Sequence, residues 1–218
     1  PSPATRRLDS IREFRRCPGH GRPGNLTRIA LAPCRGTLVN ASTQTAAATA
    51  LVAQLEGIIG AARVFAGDED RRFFSQDIAG PRAHVAACIA QPQAVEELAA
   101  VVAAATAAGY CVVPRGGGSS YTGGYVPPSD RCVLIDTRGL AKVAEINTAD
   151  MYVTVEVGCT WQALLAALEP HGVRTPFWGP LSGATATVGG SLSQNSILWG
   201  SARYGVSAES VLALEVVL

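Results

Sequence analysis

Residues 114–124, Pro-Arg-Gly-Gly-Gly-Ser-Ser-Tyr-Thr-Gly-Gly, constrain the fold more than any other part of the chain. Gly116, Gly117 and Gly118 have no side chains to pack, so a hydrophobic core does not explain them. Such residues admit positive φ and let another group approach the main chain closely. Successive exposed N–H groups in a loop of this kind form a concave nest that favours an anion, and Ser119, Ser120 and Thr122 add hydroxyls. A phosphate or pyrophosphate is the natural guest, and a flexible surface loop is the competing reading. The apolar run at 110–113 reads as a strand that leaves a long Ala/Val helix and delivers the loop.

Spacing excludes two common phosphate loops. The pattern G-x-G-x-x-G fails because Tyr121 stands where the third glycine belongs. The P-loop fails because Gly124 occupies the place of the phosphate-binding lysine. Neither is followed by a helix start, since Tyr125-Val126-Pro127-Pro128 is extended and turn-like.

A second motif follows at 185–196, Thr-Ala-Thr-Val-Gly-Gly-Ser-Leu-Ser-Gln-Asn-Ser, then Arg203-Tyr204-Gly205 and an apolar run over 211–218. In this order, P-R-G-G-G-S-S-x-x-G-G, T-V-G-G-x-x-x-x-N, R-Y-G and L-E-V-V-L resemble the FAD-binding domain of the vanillyl-alcohol oxidase/p-cresol methylhydroxylase (PCMH-type) flavoprotein superfamily. The resemblance extends over residues 82–218. Each motif is weak alone; the four in sequence are specific. D-lactate dehydrogenases and glycolate oxidase FAD subunits are the members most resembled.

That resemblance implies an α+β chain with the PCMH-type fold. Two α/β subdomains are expected: a small parallel layer over 82–139, then a mainly antiparallel sheet with helices over 140–218, the second truncated. Residues 43–81 would form a helical segment before them. Carried over by position, Pro114, Arg115, Gly116, Gly117, Gly118, Ser119 and Ser120 would wrap the FAD pyrophosphate, with Gly123 and Gly124 closing the loop. Leu181, Ser182, Gly183, Ala184, Thr185 and Thr187 would run along the ribityl chain and ring. Gly189, Gly190, Gln194, Asn195, Ser196 and Ile197 would complete the site, and Val216 would meet the ring by backbone. Arg115 has two readings, offset of phosphate charge or a surface cation.

Members of the superfamily typically oxidise an alcohol, amine or 2-hydroxy acid by hydride transfer to flavin N5, then pass electrons on. FAD is expected to be noncovalent here, because the glycine loop contains no His or Cys; a tether from a missing carboxyl-terminal half is the alternative. The base and substrate-binding residues come from a cap domain in this superfamily, so no catalytic residue is assigned. Tyr121, Trp178 and Trp199 are offered either as pocket-lining or as core and rim side chains. Ile197-Leu198-Trp199 departs from the small, glycine-rich sequence usual there. Two rival functions remain: a UDP-N-acetylenolpyruvoylglucosamine reductase-like enzyme, and a non-catalytic FAD-carrying subunit. A small-molecule substrate, an unidentified electron acceptor and a homodimer or partner subunit are the implied partners.

In chain order, apolar residues at helical spacing predict a helix over 43–60, and Val64-Phe65 a short extended piece. Asp68-Glu69-Asp70 suits a helix start better than a metal site. A first strand is expected at 84–89, a helix at 93–108 ended by Gly109, and strands at 110–113 and 132–135. Together these imply a parallel layer with the loop at a strand's carboxyl end. Alternation over 140–146 and 151–157 predicts an antiparallel hairpin. Thr160 is a good N-cap for a helix running to Leu168, and Pro170-His171-Gly172 stops it, with His171 a helix-end residue. The run at 211–218 reads as a strand that ends without its polar turn, hence a fragment.

Charge is uneven along the chain. Residues 1–42 hold eight arginines and two acidic residues, leaving ten basic and fifteen acidic groups after them. The mildly acidic remainder, with Lys142 its single lysine, has no nucleic-acid signature. Residues 1–42 read as a disordered leader: an organellar transit peptide, a nucleic-acid arm, or an upstream read-through, since the only methionine is Met151. The six cysteines show no Cys-x-x-Cys pair or zinc spacing and read as buried small hydrophobes in a reducing compartment. No apolar run reaches the ~18 residues of a membrane span, so a cytoplasmic or peripheral location is expected.

Overall fold

The computed structural model describes residues 41–81, 83–176, 179 and 182–217; residues 1–40 of the expected leader, Trp178, Leu181 and Leu218 lie outside them. Helix α1, Ala41–Ile59, buries Leu51, Leu55 and Ile59, which recur every fourth residue on one face. Val64–Phe65 forms β1, and Asp68–Phe74 forms α2, whose first turn carries the three acids. Those acids are stabilising at the positive end of the helix, and Asp68 also pairs with Arg72 at 2.9 Å.

The central sheet has the order β1-β2-β4-β3, with β2 at Cys88–Ala90, β3 at Cys111–Arg115 and β4 at Cys132–Asp136. β2, β4 and β3 run parallel, while β1 is antiparallel to β2. All five residues of β4 are buried, as expected for an inner parallel strand. Alternation sorts the sheet's faces. Cys88, Ala90, Val133 and Ile135 face α1 and α3 (Val95–Ala107), whereas Ile89 and Leu134 face Phe74. The first strand therefore begins at Cys88, not His84, and α3 starts after Ala94 with Pro92 ahead of it.

Two cysteine expectations are corrected. Cys111 and Cys132 face each other in the β3–β4 register and form a disulfide, which removes the basis for reading a reducing compartment. Cys88 and Cys159 are the buried free thiols, and burial pushes the Cys88 thiol up to about 11.

The second half opens with β5 (Val143–Asn147) and β6 (Tyr152–Val155), an antiparallel hairpin. Helix α4, Trp161–Leu168, starts where Thr160 accepts a hydrogen bond from the Ala163 N–H at 3.2 Å, and Gly172 in the left-handed region ends the turn after it. Trp161, Leu164 and Leu168 of α4 form a core with Val188 and Leu198. Short helices α5 (Val188–Ser193) and α6 (Ser201–Tyr204) follow. Residues 211–217 form no ladder among the described residues, and Leu212, Leu214 and Val216 are exposed. The expected strand there is corrected: apolar alternation makes a strand only where a neighbour accepts its hydrogen bonds. No described helix is long and apolar enough to cross a membrane.

Candidate cofactor site

The two glycine motifs meet. β3 ends at Arg115 and hands the chain directly to Gly116, while the turn before α5 lies opposite. A Cβ on Gly117 would run into the Thr185 carbonyl, and one on Gly116 into the Thr187 hydroxyl. Only glycine permits this approach of backbone to backbone. Above it Ser119 Oγ and Thr185 Oγ1 share a hydrogen bond of 2.9 Å.

The turn carrying the second motif is stitched to the start of α4. The Trp161 N–H donates to the Ala186 carbonyl at 3.2 Å and the Gln162 N–H to Gly183 at 3.0 Å. The Val188 and Gly189 N–H groups donate back to Cys159 and Val157. Trp161 Nε1 donates to Ser191 Oγ at 2.8 Å, which fixes α5 against α4. The sequence dictates this local fold through Thr187, which caps α5 by accepting from the Gly190 N–H.

Between the motifs lies a cleft of about 160 Å³. Gly116, Gly117, Gly118 and Ser119 line one side, and Ser182, Thr187, Gly190, Gln194 and Ser196 the other. Among the described residues, the backbone N–H groups of Gly117, Gly118, Ser119 and Ser120 donate no hydrogen bond. Successive N–H groups in a half-buried glycine loop of this kind are the donor set that a nest presents to an anion. The volume falls below the ~300–1,000 Å³ that encloses a drug-sized ligand, so the cleft has room for a small group and not for a whole dinucleotide.

Arg115 is 6% exposed, which corrects the surface-cation reading. Its guanidinium lies beneath Gly118 and stacks on Phe74 (4.9 Å to the ring centre) and Tyr125 (5.2 Å). Burial lowers its pKa, and the nearby Arg138 does the same, yet an arginine does not lose its proton in a protein. Asp136 is spent on Arg138 (2.7 Å) and Gln91 (2.9 Å), and Arg115 Nε is buried without a partner. A cation is thus held directly behind the nest by ring faces.

Other expected residues sit elsewhere. Pro114 lies within β3, Thr185 bonds Ser119 across the two motifs, and the Ser120 hydroxyl pairs with that of Thr122 at 2.9 Å. Gly183 and Ala184 occupy the turn before α5, and Gly189 packs on Val157. Gly123 and Gly124 turn away, because Asp77 holds the Gly123 N–H. Asn195 accepts from the Ala208 N–H at 3.3 Å. Ile197 is 81% exposed and, like Val216, does not line the cleft. Neither Tyr121 nor Trp199 lines it. Sequence reasoning missed Tyr125 and Ser191, which do. The available signal for Tyr125 was its place just after the loop, where an aromatic ring can fold back under it. Among the described residues, no cluster of His, Cys, Asp and Glu could hold a metal.

Over 171 residues the chain is 32% identical to an uncharacterised FAD-linked oxidoreductase of Mycobacterium tuberculosis, covering 77% of this chain and 36% of that protein. It is 29% identical to the glycolate oxidase subunit GlcD of Bacillus subtilis over 127 residues, 58% of this chain and 27% of that one. A solved structure of p-cresol methylhydroxylase shares the fold at a TM-score of 0.62 and 15% identity, covering 70% of this chain and 30% of that chain. The chain therefore spans about a third of the length of the M. tuberculosis relative, and less of the other two. A family model described as an FAD binding domain matches residues 86–218, and the chain belongs to that family, the FAD-binding domain of PCMH-type flavoproteins.

Proposed function

We propose that this chain is the FAD-binding part of an oxidoreductase acting on a 2-hydroxy acid or another small alcohol. The observation that carries the reading is the run of four N–H groups at Gly117–Ser120 that donate to no described residue, opposed by the second glycine motif across one cleft. The name of the glycolate oxidase subunit supports the substrate class, since glycolate is a 2-hydroxy acid.

The donor set fits the cofactor. The nest would take the diphosphate, with Ser119 and Thr185 supplying hydroxyls and Arg115 a cation behind Gly118 that does not itself line the cleft. Ser182, Thr187, Gly190 and Gln194 would hold the flavin half from the opposite wall. Bound FAD supplies a two-electron acceptor to the substrate carbon. The chain's own residues bind and orient it, and Gly116 and Gly117 keep the two motifs close enough to exclude water between them. Residues 82–139 and 140–218 act as the two subdomains, with 43–81 covering the first. FAD is held noncovalently.

The test is the visible spectrum of the intact protein purified without added cofactor, followed by denaturation and filtration. A flavin spectrum that passes the filter, and that bleaches anaerobically with a 2-hydroxy acid, is expected. Absence of flavin after reconstitution with FAD would refute the reading. Bleaching by NADPH instead would replace the substrate class.

A further inference from the structure

We propose that Asp77 and Tyr125 form a clamp that sets the shape of the glycine loop, acting as positioning residues for the cofactor. The inference rests on the reading that this loop holds the FAD diphosphate.

Asp77 follows α2 and is 6% exposed. Its Oδ2 accepts from the Gly123 N–H at 2.9 Å and its Oδ1 from the Ala79 N–H at 3.0 Å. One residue on, the Ile78 N–H donates to the Ser120 carbonyl at 3.2 Å. From the other side, the Tyr125 hydroxyl lies 2.7 Å from the Gly118 carbonyl and 2.9 Å from that of Ser120, sharing its proton between them. Tyr125 is itself buried against the Arg115 guanidinium. Two groups outside the loop thus hold its carbonyls at 118 and 120 and its N–H at 123.

The consequence follows from peptide geometry. A trans peptide points its carbonyl and the next residue's N–H in opposite directions. Fixing the Gly118 carbonyl therefore fixes the Ser119 N–H, and fixing the Ser120 carbonyl fixes the Tyr121 N–H. The glycines between would otherwise sample many conformations, and that freedom is lost on binding. Gly123 and Gly118 both adopt the left-handed region (φ 75° and 67°), which the clamp holds at its two ends. Electrostatics alone would not place a carboxylate here. A negative charge beside an anion site weakens anion binding, so Asp77 acts through orientation and not through charge.

Asp77→Asn and Tyr125→Phe test the clamp in the intact protein. FAD titration is read beside amide hydrogen exchange at Ile78 and Gly123, whose N–H groups the clamp bonds hold, with apo-protein melting as the control. The expected result is a fall in FAD affinity of about tenfold in each variant, equal to ~1.4 kcal/mol. Faster exchange at those amides should accompany it. A purely structural role would lower the melting temperature while leaving FAD affinity of the folded protein unchanged. Tyr125→Phe keeps the ring against Arg115 and decides the matter if Asp77→Asn does not fold. FAD binding within twofold of wild type in the folded variants, or tighter binding by Asp77→Asn, would overturn the proposal. If wild-type protein does not bind FAD, the cofactor reading falls; unchanged exchange at Gly123 in Asp77→Asn would then overturn the clamp separately.

Discussion

Gly117→Ala should weaken FAD binding sharply while leaving most of the fold intact. The new methyl would overlap the Thr185 carbonyl and lie 3.2 Å from the Ala186 nitrogen, both backbone groups that cannot rotate away. The second motif is anchored to α4 through the Trp161, Gln162 and Val188 hydrogen bonds, so the glycine loop must retreat instead. Overpacking of this kind costs roughly 1–3 kcal/mol. Retreat also breaks the Ser119–Thr185 hydrogen bond, a further ~0.5–1.5 kcal/mol. Much of this cost falls on the bound state, where the two motifs must close on one ligand. A loss of FAD affinity of roughly 10- to 100-fold is expected by calorimetric titration, about 1.4–2.7 kcal/mol. Circular dichroism should show unchanged helix content, because α1 and α3 take no part in the contact. Affinity within twofold of wild type would refute the claim that the apposed glycines build the site.

Arg115→Met keeps side-chain length and ring contact but removes the buried cation. FAD affinity should fall about tenfold (~1.4 kcal/mol), with a shallower salt dependence and little change in melting. Leu55→Ala, at a fully buried position of α1, should destabilise by about 2–5 kcal/mol in urea unfolding. Replacing both Cys111 and Cys132 by alanine removes a cross-link spanning 21 residues and should cost roughly 3 kcal/mol on the chain-entropy model. The Cys88 thiol, pushed to about 11 by burial, should resist alkylation in the native protein at pH 8 and react on unfolding. Because its folded pKa lies above the ordinary thiol value, the unfolded chain loses its proton first. Stability from this group is whole below about pH 8.5 and declines as pH rises toward about 11, measurable by urea titration across that range.

Much of the scaffold was legible because local chemistry agreed with the final fold. The Thr160 cap, the hairpin at 143–155 and the helix before Gly109 each rest on signals within a few residues. What failed was nonlocal. The disulfide depends on the parallel register that sets Cys111 against Cys132, and spacing in sequence does not reveal register. Arg115 read as a surface cation in one alternative because its aromatic partners come from α2 and from beyond the loop. Helix α5 was not anticipated, since Gly189 and Gly190 are poor helix formers and tertiary hydrogen bonds to Val157 and Cys159 compensate. Asp77 carried no signal of its own in sequence; only its approach to Gly123 shows what it does.

The most direct test of the central claim is the backbone amide spectrum of the protein titrated with FAD. The N–H resonances of Gly117, Gly118, Ser119 and Ser120 should shift together and become protected from exchange, with those of Thr187–Ser191 following. FAD binding that leaves the four loop amides unshifted and unprotected would contradict the assignment of the nest as the cofactor site.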